Sequence, residues 1–349
     1  MLRKWMLALC FCLGIFGCGC SETTSNESNT TSSEAVTATT QSADEKTTRD
    51  LFAMDTYITL TAYGNNAEAG ISAAEACIQD LDARLSTGNS ESEIAKLNAT
   101  GSGTLSEDTS AILQEAITLY QDTDGAFNPL MYPIMQAWGF PTHEYRVPED
   151  SEIQSLLQLT DPSKMQFSAE TGAVSFSVSG MELDLGGIAK GFAVDKVVEL
   201  LKIRGIATGV INFGGSVFVL GEERSVGIQT PFGKKGTYIG TIRVKNKAVV
   251  TSGAYENYRV INGTAYQHIL DPHTGYPVNN ELLAVTLIGA KAEGLDALAT
   301  GVCVMGIQKG YDLLKKRQID AIFIKKDGSV LLTEGIKESF SFKEATYEA

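Results

Sequence analysis

From Phe52 to Thr333 the apolar side chains repeatedly change their spacing, and this alternation limits the fold more than any other property of the chain. Period-2 runs read as strands, and spacings of three and four read as helices. Tyr57, Ile58, Thr59 and Leu60 predict a strand over Phe52–Ala62, and Ile71, Ala74, Ile78, Leu81 and Leu85 predict a helix over Ala67–Leu85. A second helix is expected over Glu107–Tyr120, capped by Ser106. Met165–Leu185 reads as a strand pair turned at Thr171 and Gly172, and Ile188–Ile203 as a helix. Strands follow at Gly209–Leu220, Tyr238–Val244 and Ala248–Thr251. Asn262 and Gly263 join Tyr258–Ile261 to Ala265–Leu270 as a hairpin turn would. The end reads as strand Leu283–Ile288, helices Ala292–Met305 and Lys309–Arg317, and strands Ala321–Ile324 and Val330–Thr333. The expected class is α+β: mixed, mostly antiparallel sheets with packed helices, and no internal repeat.

The first 50 residues obey other rules. Arg3 and Lys4 precede an apolar run, Trp5–Phe16, that is too short to span a bilayer and has the layout of a secretory signal. Ile15, Phe16, Gly17 and Cys18 resemble a bacterial lipobox, which makes 1–17 the signal peptide and Cys18 the expected lipidated N-terminus, with Cys20 as the alternative. Ser21–Asp50 is Ser, Thr, Glu, Asn and Ala with scarcely an apolar side chain, a composition that cannot offset the entropy of ordering. It reads as a solvated leash reaching about 30 Å. Residues 51–349 form the folded domain, and 43% hydrophobic content is ample for one large core or two closely joined lobes. The expected location is extracytoplasmic, lipid-anchored to the bacterial cell membrane. A net charge of −14 argues against a nucleic-acid partner. Of six cysteines, only Cys77 and Cys303 fall in the folded part, each in a helix-like apolar pattern that suits a buried thiol better than a disulfide or a metal ligand.

Three segments carry chemistry. Asp184-Leu-Gly-Gly-Ile-Ala-Lys190-Gly191 runs from a strand end through two glycines into a helix. First-turn amides with Lys190 beside them favour a phosphate, while Asp184 suits a ribose hydroxyl, an adenine amine or a metal-bound water. Packing alone explains such a turn equally well, and its spacing matches neither a dinucleotide fingerprint nor a P-loop. Asp296 and Thr300 stand at i and i+4 of a helix, a pairing of oxygen ligands that suits magnesium but that dipole partnership and back-bonding also account for. In the third segment, Thr251-Ser-Gly-Ala-Tyr255 is followed by His268-Ile-Leu-Asp271-Pro-His273-Thr-Gly275. His268, at a strand end beside a turn, is a candidate general base or a turn cap. No zinc-protease or nucleophile-elbow pattern is present.

In this order, these segments resemble the ApbE family, the FAD:protein FMN transferases. The resemblance also takes in Met54-Asp55-Thr56, Leu85-Ser86, Ser92-Glu93-Ile94, Leu97-Asn98, Asp124-Gly125-Ala126-Phe127, Trp138-Gly139-Phe140, Asn212-Phe213-Gly214-Gly215 and Ser252-Gly253. It implies an ApbE-like architecture with a T-fold-like core. It further implies FAD as substrate, Mg2+ as cofactor, and transfer of FMN to a Thr or Ser of exported acceptor proteins, with release of AMP. Asp296, Thr300 and the carbonyl of Gly187 match the family's metal ligands. Met54, Asp184, Lys190, Ser252, Gly253, His268 and Ile269 match positions around FAD, and Met135, Gln136 and Trp138 correspond to part of the flavin site. Lys190 and His268 are the residues to which the resemblance assigns catalysis. Many relatives have a glycine in place of Asp55. The family's target resembles Asp-x-x-Ser/Thr-Gly-Ala-Thr/Ser, whereas this chain has Asp122-Thr-Asp-Gly-Ala126 followed by Phe127, so the acceptor is expected to be another protein. A magnesium-dependent FAD pyrophosphatase and a non-catalytic flavin-binding lipoprotein are the competing readings.

Overall fold

The computed structural model describes residues 45–343 except 234, 235, 256, 257 and 262. Cys18 and Cys20 lie outside the described residues. The first elements are β1 (Lys46–Ala53) and β2 (Thr56–Tyr63), paired from Lys46↔Tyr63 to Ala53↔Thr56. Met54 and Asp55 close this hairpin with φ of 51° and 56°. The single strand expected over Phe52–Ala62 is therefore two, because the turn contains no glycine or asparagine to announce it. Order also begins before Leu51. Thr47 and Thr48 suit a strand, and the Arg49 guanidinium reaches Glu68 at 2.6 Å and Glu75 at 2.7 Å, so Lys46–Asp50 belong to the sheet and not to the leash.

α1 (Ala67–Leu85) matches its expected bounds and buries Ile71, Ala74, Ile78, Leu81 and Leu85. α2 (Glu93–Thr100) is capped by Ser92, whose hydroxyl accepts the Ala95 N–H at 2.9 Å. β3 (Ser102–Thr104), α3 (Glu107–Asp122), α4 (Tyr132–Ala137) and α5 (Asp150–Leu157) follow. β4 (Met165–Phe167) and β5 (Ala173–Phe176) turn at Gly172, and β5 also pairs with β3. Next come α6 (Gly186–Ile203), β6 (Thr208–Phe213) and β7 (Ser216–Leu220), where Gly214 and Gly215 divide the strand expected over Gly209–Leu220. β8 (Arg224–Gln229), β9 (Tyr238–Val244) and β10 (Lys247–Gly253) precede the hairpin of β11 (Tyr258–Ile261) and β12 (Thr264–Gln267). Of its expected turn, Asn262 lies outside the described residues. The chain ends with β13 (Leu282–Gly289), α7 (Glu293–Arg317), β14 (Asp320–Lys325), β15 (Val330–Leu332) and β16 (Phe340–Phe342).

The main sheet has the order β1-β2-β6-β7-β10-β13-β14-β15, and its neighbours all pair antiparallel. α1, α6 and α7 pack on it and on one another around the main core, which includes Ile58, Leu60, Ile188, Val197, Phe213, Val285, Leu298 and Phe323. A second cluster packs β8, β9 and β16 against the sheet through Ile228, Ile242 and Phe340, which meet Val249, Ile288 and Ile322. A third, smaller cluster holds Met131, Ile134, Trp138, Ile153 and Leu270. The two helices expected at 292–317 are one run broken at Gly306, which takes φ 75° and ψ 180°. The Asn280 side-chain amide donates to the freed Cys303 carbonyl at 2.9 Å, and the Ile307 N–H donates to Glu281 at 3.3 Å.

Candidate functional site

Met181, Leu183 and Leu185 are buried, so the extended segment carrying them sends Glu182 and Asp184 the other way. The segment is clamped on both sides. Asn98 accepts the Leu183 N–H at 2.7 Å and donates to its carbonyl at 2.9 Å, while the Asp184 N–H donates to the Pro129 carbonyl at 2.8 Å. Asp184 was expected at a strand end, but this stretch pairs with no strand. Its Oδ1 accepts the Gly186 N–H at 2.8 Å, where α6 begins. The residue is half-buried. Burial raises that carboxyl above the usual range against the Gly186 N–H and Lys190, and Asp55 raises it further, so the Met54–Asp55 turn acts on the same site. Met54 itself is half-buried against the main core in a left-handed conformation that costs a non-glycine residue energy.

At the start of α6 the Ile188 and Ala189 N–H groups donate to Leu185 at 3.0 and 2.9 Å. The expectation of several open amides for a phosphate is therefore corrected: Asp184 and Leu185 already engage those of Gly186, Ile188 and Ala189. The Lys190 ammonium is the remaining source of positive charge here. It donates to the Gly186 carbonyl at 3.0 Å and stands 3.7 Å from Asp296 Oδ2.

The other half of the site is the first turns of α7. Asp195 of α6 accepts the Ala292 N–H at 2.9 Å and the Glu293 N–H at 3.0 Å, capping α7 from a neighbouring helix. The two helices touch because residue 191 is glycine: a Cβ there would lie 2.4 Å from the Ala292 carbonyl oxygen. This approach lets the Gly191 N–H donate to Asp296 Oδ2 at 3.0 Å. Regular helix geometry would aim that N–H at the Gly187 carbonyl. Asp296 is 4% exposed, and burial raises its carboxyl against Lys190 and the Gly191 N–H. Thr300 donates to the Asp296 carbonyl at 3.4 Å, so it does back-bond to its own helix. Phe127 lies against both helices: its ring meets the Cβ position of Gly187 at 3.0 Å, and its own Cβ meets that of Gly301 at 3.5 Å.

Asp296, Thr300 and the Gly187 carbonyl, the metal ligands that the resemblance implies, are all oxygen donors, and the Lys190 ammonium lies beside Asp296. Among the described residues no cluster of three or more His, Cys, Asp or Glu side chains is placed to hold a metal ion. A single buried carboxylate with neutral oxygens fits a hard cation that takes most of its shell from water and phosphate, as magnesium does. A cation would also offset the burial that now raises Asp296.

The remaining expected residues sit on three supports. Ser252 and Gly253 end β10, and the Ser252 carbonyl accepts the Cys303 thiol at 3.6 Å, one turn beyond Thr300. Ile269 is buried in the main core and its carbonyl accepts the Val278 N–H at 3.0 Å, which anchors the segment of the half-buried His268. Met135 is half-buried and Gln136 exposed on α4, and burial raises the Glu182 carboxyl, with the Gln136 side chain opposing. Trp138 has a packing role: it is 1% exposed, donates Nε1–H to the Gly275 carbonyl at 2.9 Å, and stacks near Tyr266 and Tyr276. Cys303 is buried and Cys77 half-buried.

Sequence reasoning missed Asp195 and Glu293. The α6–α7 contact, which has no local sequence signature, brings Asp195 onto the start of α7. Burial, with Glu115 and Asp195 adding, pushes the Glu293 carboxyl up to about 7 against Lys291 and Lys196.

Comparison with known proteins identifies the family. Residues 54–323 match the model of the ApbE family. The chain is 34% identical over 299 residues to an FAD:protein FMN transferase of Klebsiella pneumoniae (strain 342), covering 84% of this chain and 94% of that one. It is 32% identical over 292 residues to one of Treponema pallidum (strain Nichols), covering 77% and 81%. The crystal structure of the ApbE protein of Thermotoga maritima superposes with a TM-score of 0.79 at 28% identity, covering 84% of this chain and 99% of that one.

Proposed function

The chain belongs to the ApbE family, and on that premise we propose that it moves FMN from FAD to a Thr or Ser hydroxyl of another protein, releasing AMP. The observation that carries this reading is the junction of α6 and α7. There the buried Asp296 carboxylate meets the Gly191 N–H and the Lys190 ammonium, on the two helices that also carry Gly187 and Thr300.

In the reaction the acceptor oxygen bonds to the FMN phosphorus as the bond from that phosphorus to the bridging oxygen breaks. AMP leaves with the electron pair, and the hydroxyl proton goes to a base. Magnesium held by Asp296, Thr300 and the Gly187 carbonyl would neutralise charge on the pyrophosphate. Lys190 adds a second positive charge that needs no rearrangement, because the Gly186 carbonyl and Asp296 already hold its ammonium in place. Asp184 is fixed by the Gly186 N–H and offers its second oxygen to a donor on FAD. His268 is the proposed acceptor of the hydroxyl proton.

The same reading gives the N-terminus its use. A lipid on Cys18 and a tether that ends at β1 would confine the domain near the outer membrane face, where exported acceptors pass. Replacing Cys18 and Cys20 together should release the protein from membranes with its turnover intact.

The test is incubation with FAD, magnesium and an acceptor bearing the Asp-x-x-Ser/Thr-Gly-Ala-Thr/Ser motif. A covalently fluorescent acceptor with equimolar AMP is the expected result. AMP without a labelled acceptor would make the protein a pyrophosphatase, and bound FAD with no AMP would make it a carrier.

A further inference from the structure

We infer that His273 is a positioning residue that clasps the Asp124–Phe127 segment to the turn following His268 and so sets the spacing of the two halves of the site. Its consequence for turnover rests on the transferase reading; the clasp itself does not.

The ring of His273 joins segments far apart in sequence. Nδ1 lies 3.0 Å from Asp271 Oδ1, and Nε2 lies 3.1 Å from the Asp124 carbonyl oxygen. A carboxylate and a carbonyl both accept. A neutral imidazole has one N–H, so it serves one of them, whereas the imidazolium has two and serves both.

Each side of the clasp is tied to the site. On one side, Asp271 Oδ1 also accepts the His273 N–H at 2.9 Å, and the Asp271 carbonyl accepts the N–H groups of Thr274 and Gly275 at 3.1 and 2.7 Å. Trp138 then holds the Gly275 carbonyl, which makes this turn a rigid continuation of the segment carrying His268. On the other side, Asp124 and Gly125 take φ of 53° and 79°, and the Phe127 N–H donates to Thr123 Oγ1 at 3.0 Å. Phe127 touches the positions of Gly187 and Gly301, next to the proposed metal ligands. If this segment moves, it moves the wall shared by α6 and α7.

The charged and titratable groups facing His273 are Asp271 on its own turn, Asp124 on the opposing segment, and Tyr120 of α3. The Tyr120 ring and His273 Nε2 both adjoin Gly125, at 3.4 and 3.5 Å from its Cβ position.

The experiment compares the full-length protein with His273→Arg and His273→Asn under one set of conditions. Arginine donates to both acceptors, while asparagine can donate to one. The first readout is amide hydrogen exchange of residues 122–127 and 271–275, expressed as protection relative to the free chain. Protection should fall together in both segments, roughly tenfold, in the Asn variant and stay at the wild-type level in the Arg variant. The second readout is turnover, which should fall with His273→Asn and be restored by His273→Arg. Arg and Asn variants that exchange alike would overturn the clasp. Exchange that differs as expected, with equal turnover in the two variants, would overturn the positioning role. Exchange is measurable whether or not FMN is transferred, so failure of the transferase reading shows up separately, as wild type without a labelled acceptor.

Discussion

Replacing Gly191 by alanine sets two effects of opposite sign against each other. Inside a helix the added methyl ordinarily stabilises, by about 0.5–1 kcal/mol. Here it would point at backbone: 2.4 Å from the Ala292 carbonyl oxygen, 2.7 Å from its carbon and 2.8 Å from Glu293 Cα. No rotamer can move away, so α6 and α7 must separate, and overpacking of this kind costs about 1–3 kcal/mol. The separation also stretches the Gly191 N–H bond to Asp296, a bond to a charged acceptor worth about 1.5–3 kcal/mol. The costs outweigh the propensity gain, leaving a net loss of about 2–5 kcal/mol. For a domain of this size that lowers Tm by about 4–10 °C. Differential scanning calorimetry measures it, and AMP release should fall with it because Asp296 is displaced. A Tm equal to or above wild type with full turnover would show that helix propensity prevails and that the α6–α7 contact is not tight.

Glu293 predicts a pH dependence. Its carboxyl is raised from 4.5 to about 7, so the folded protein keeps a proton that the unfolded chain loses, and stability falls as pH rises through that interval. Glu293→Gln should therefore raise Tm at pH 8 and leave it nearly unchanged at pH 5, read by thermal melts at both; equal shifts would contradict the burial argument. Asp296→Asn keeps an oxygen for the Gly191 N–H but removes the charge. It should preserve the fold by circular dichroism and lower magnesium-dependent AMP release by roughly a hundredfold or more. Trp138→Phe strips the buried Gly275 carbonyl of its donor and should cost about 1–3 kcal/mol in urea denaturation.

Long periodic elements were legible from sequence: α1 and β9 have the bounds their patterns predict, since a single apolar face decides them. α4 and α5, six and eight residues long, give too short a pattern to declare themselves. The β1–β2 turn escaped because Met54 and Asp55 adopt positive φ without the usual turn residues. In the site, Asp184, Lys190, Asp296 and Thr300 were accessible through the order of their motifs. The bond that joins them, Gly191 to Asp296, spans 105 positions and has no local signature. Trp138 shows the converse: an aromatic in the right motif, which the fold spends on fixing the Gly275 carbonyl.

The strand order carries a consequence for how the protein is made. The sheet places β1 and β2 beside β6, and the site draws on Met54 at one end and Thr300 at the other, with α6 between. A chain emerging from its N-terminus can form the first hairpin and α1 early, but contacts that close so long a loop come late. Until α7 has been synthesised there is no Asp296 to meet Gly191. The nascent protein would therefore be blind to FAD for most of its synthesis, and ligand binding can reward only chains that have been completed.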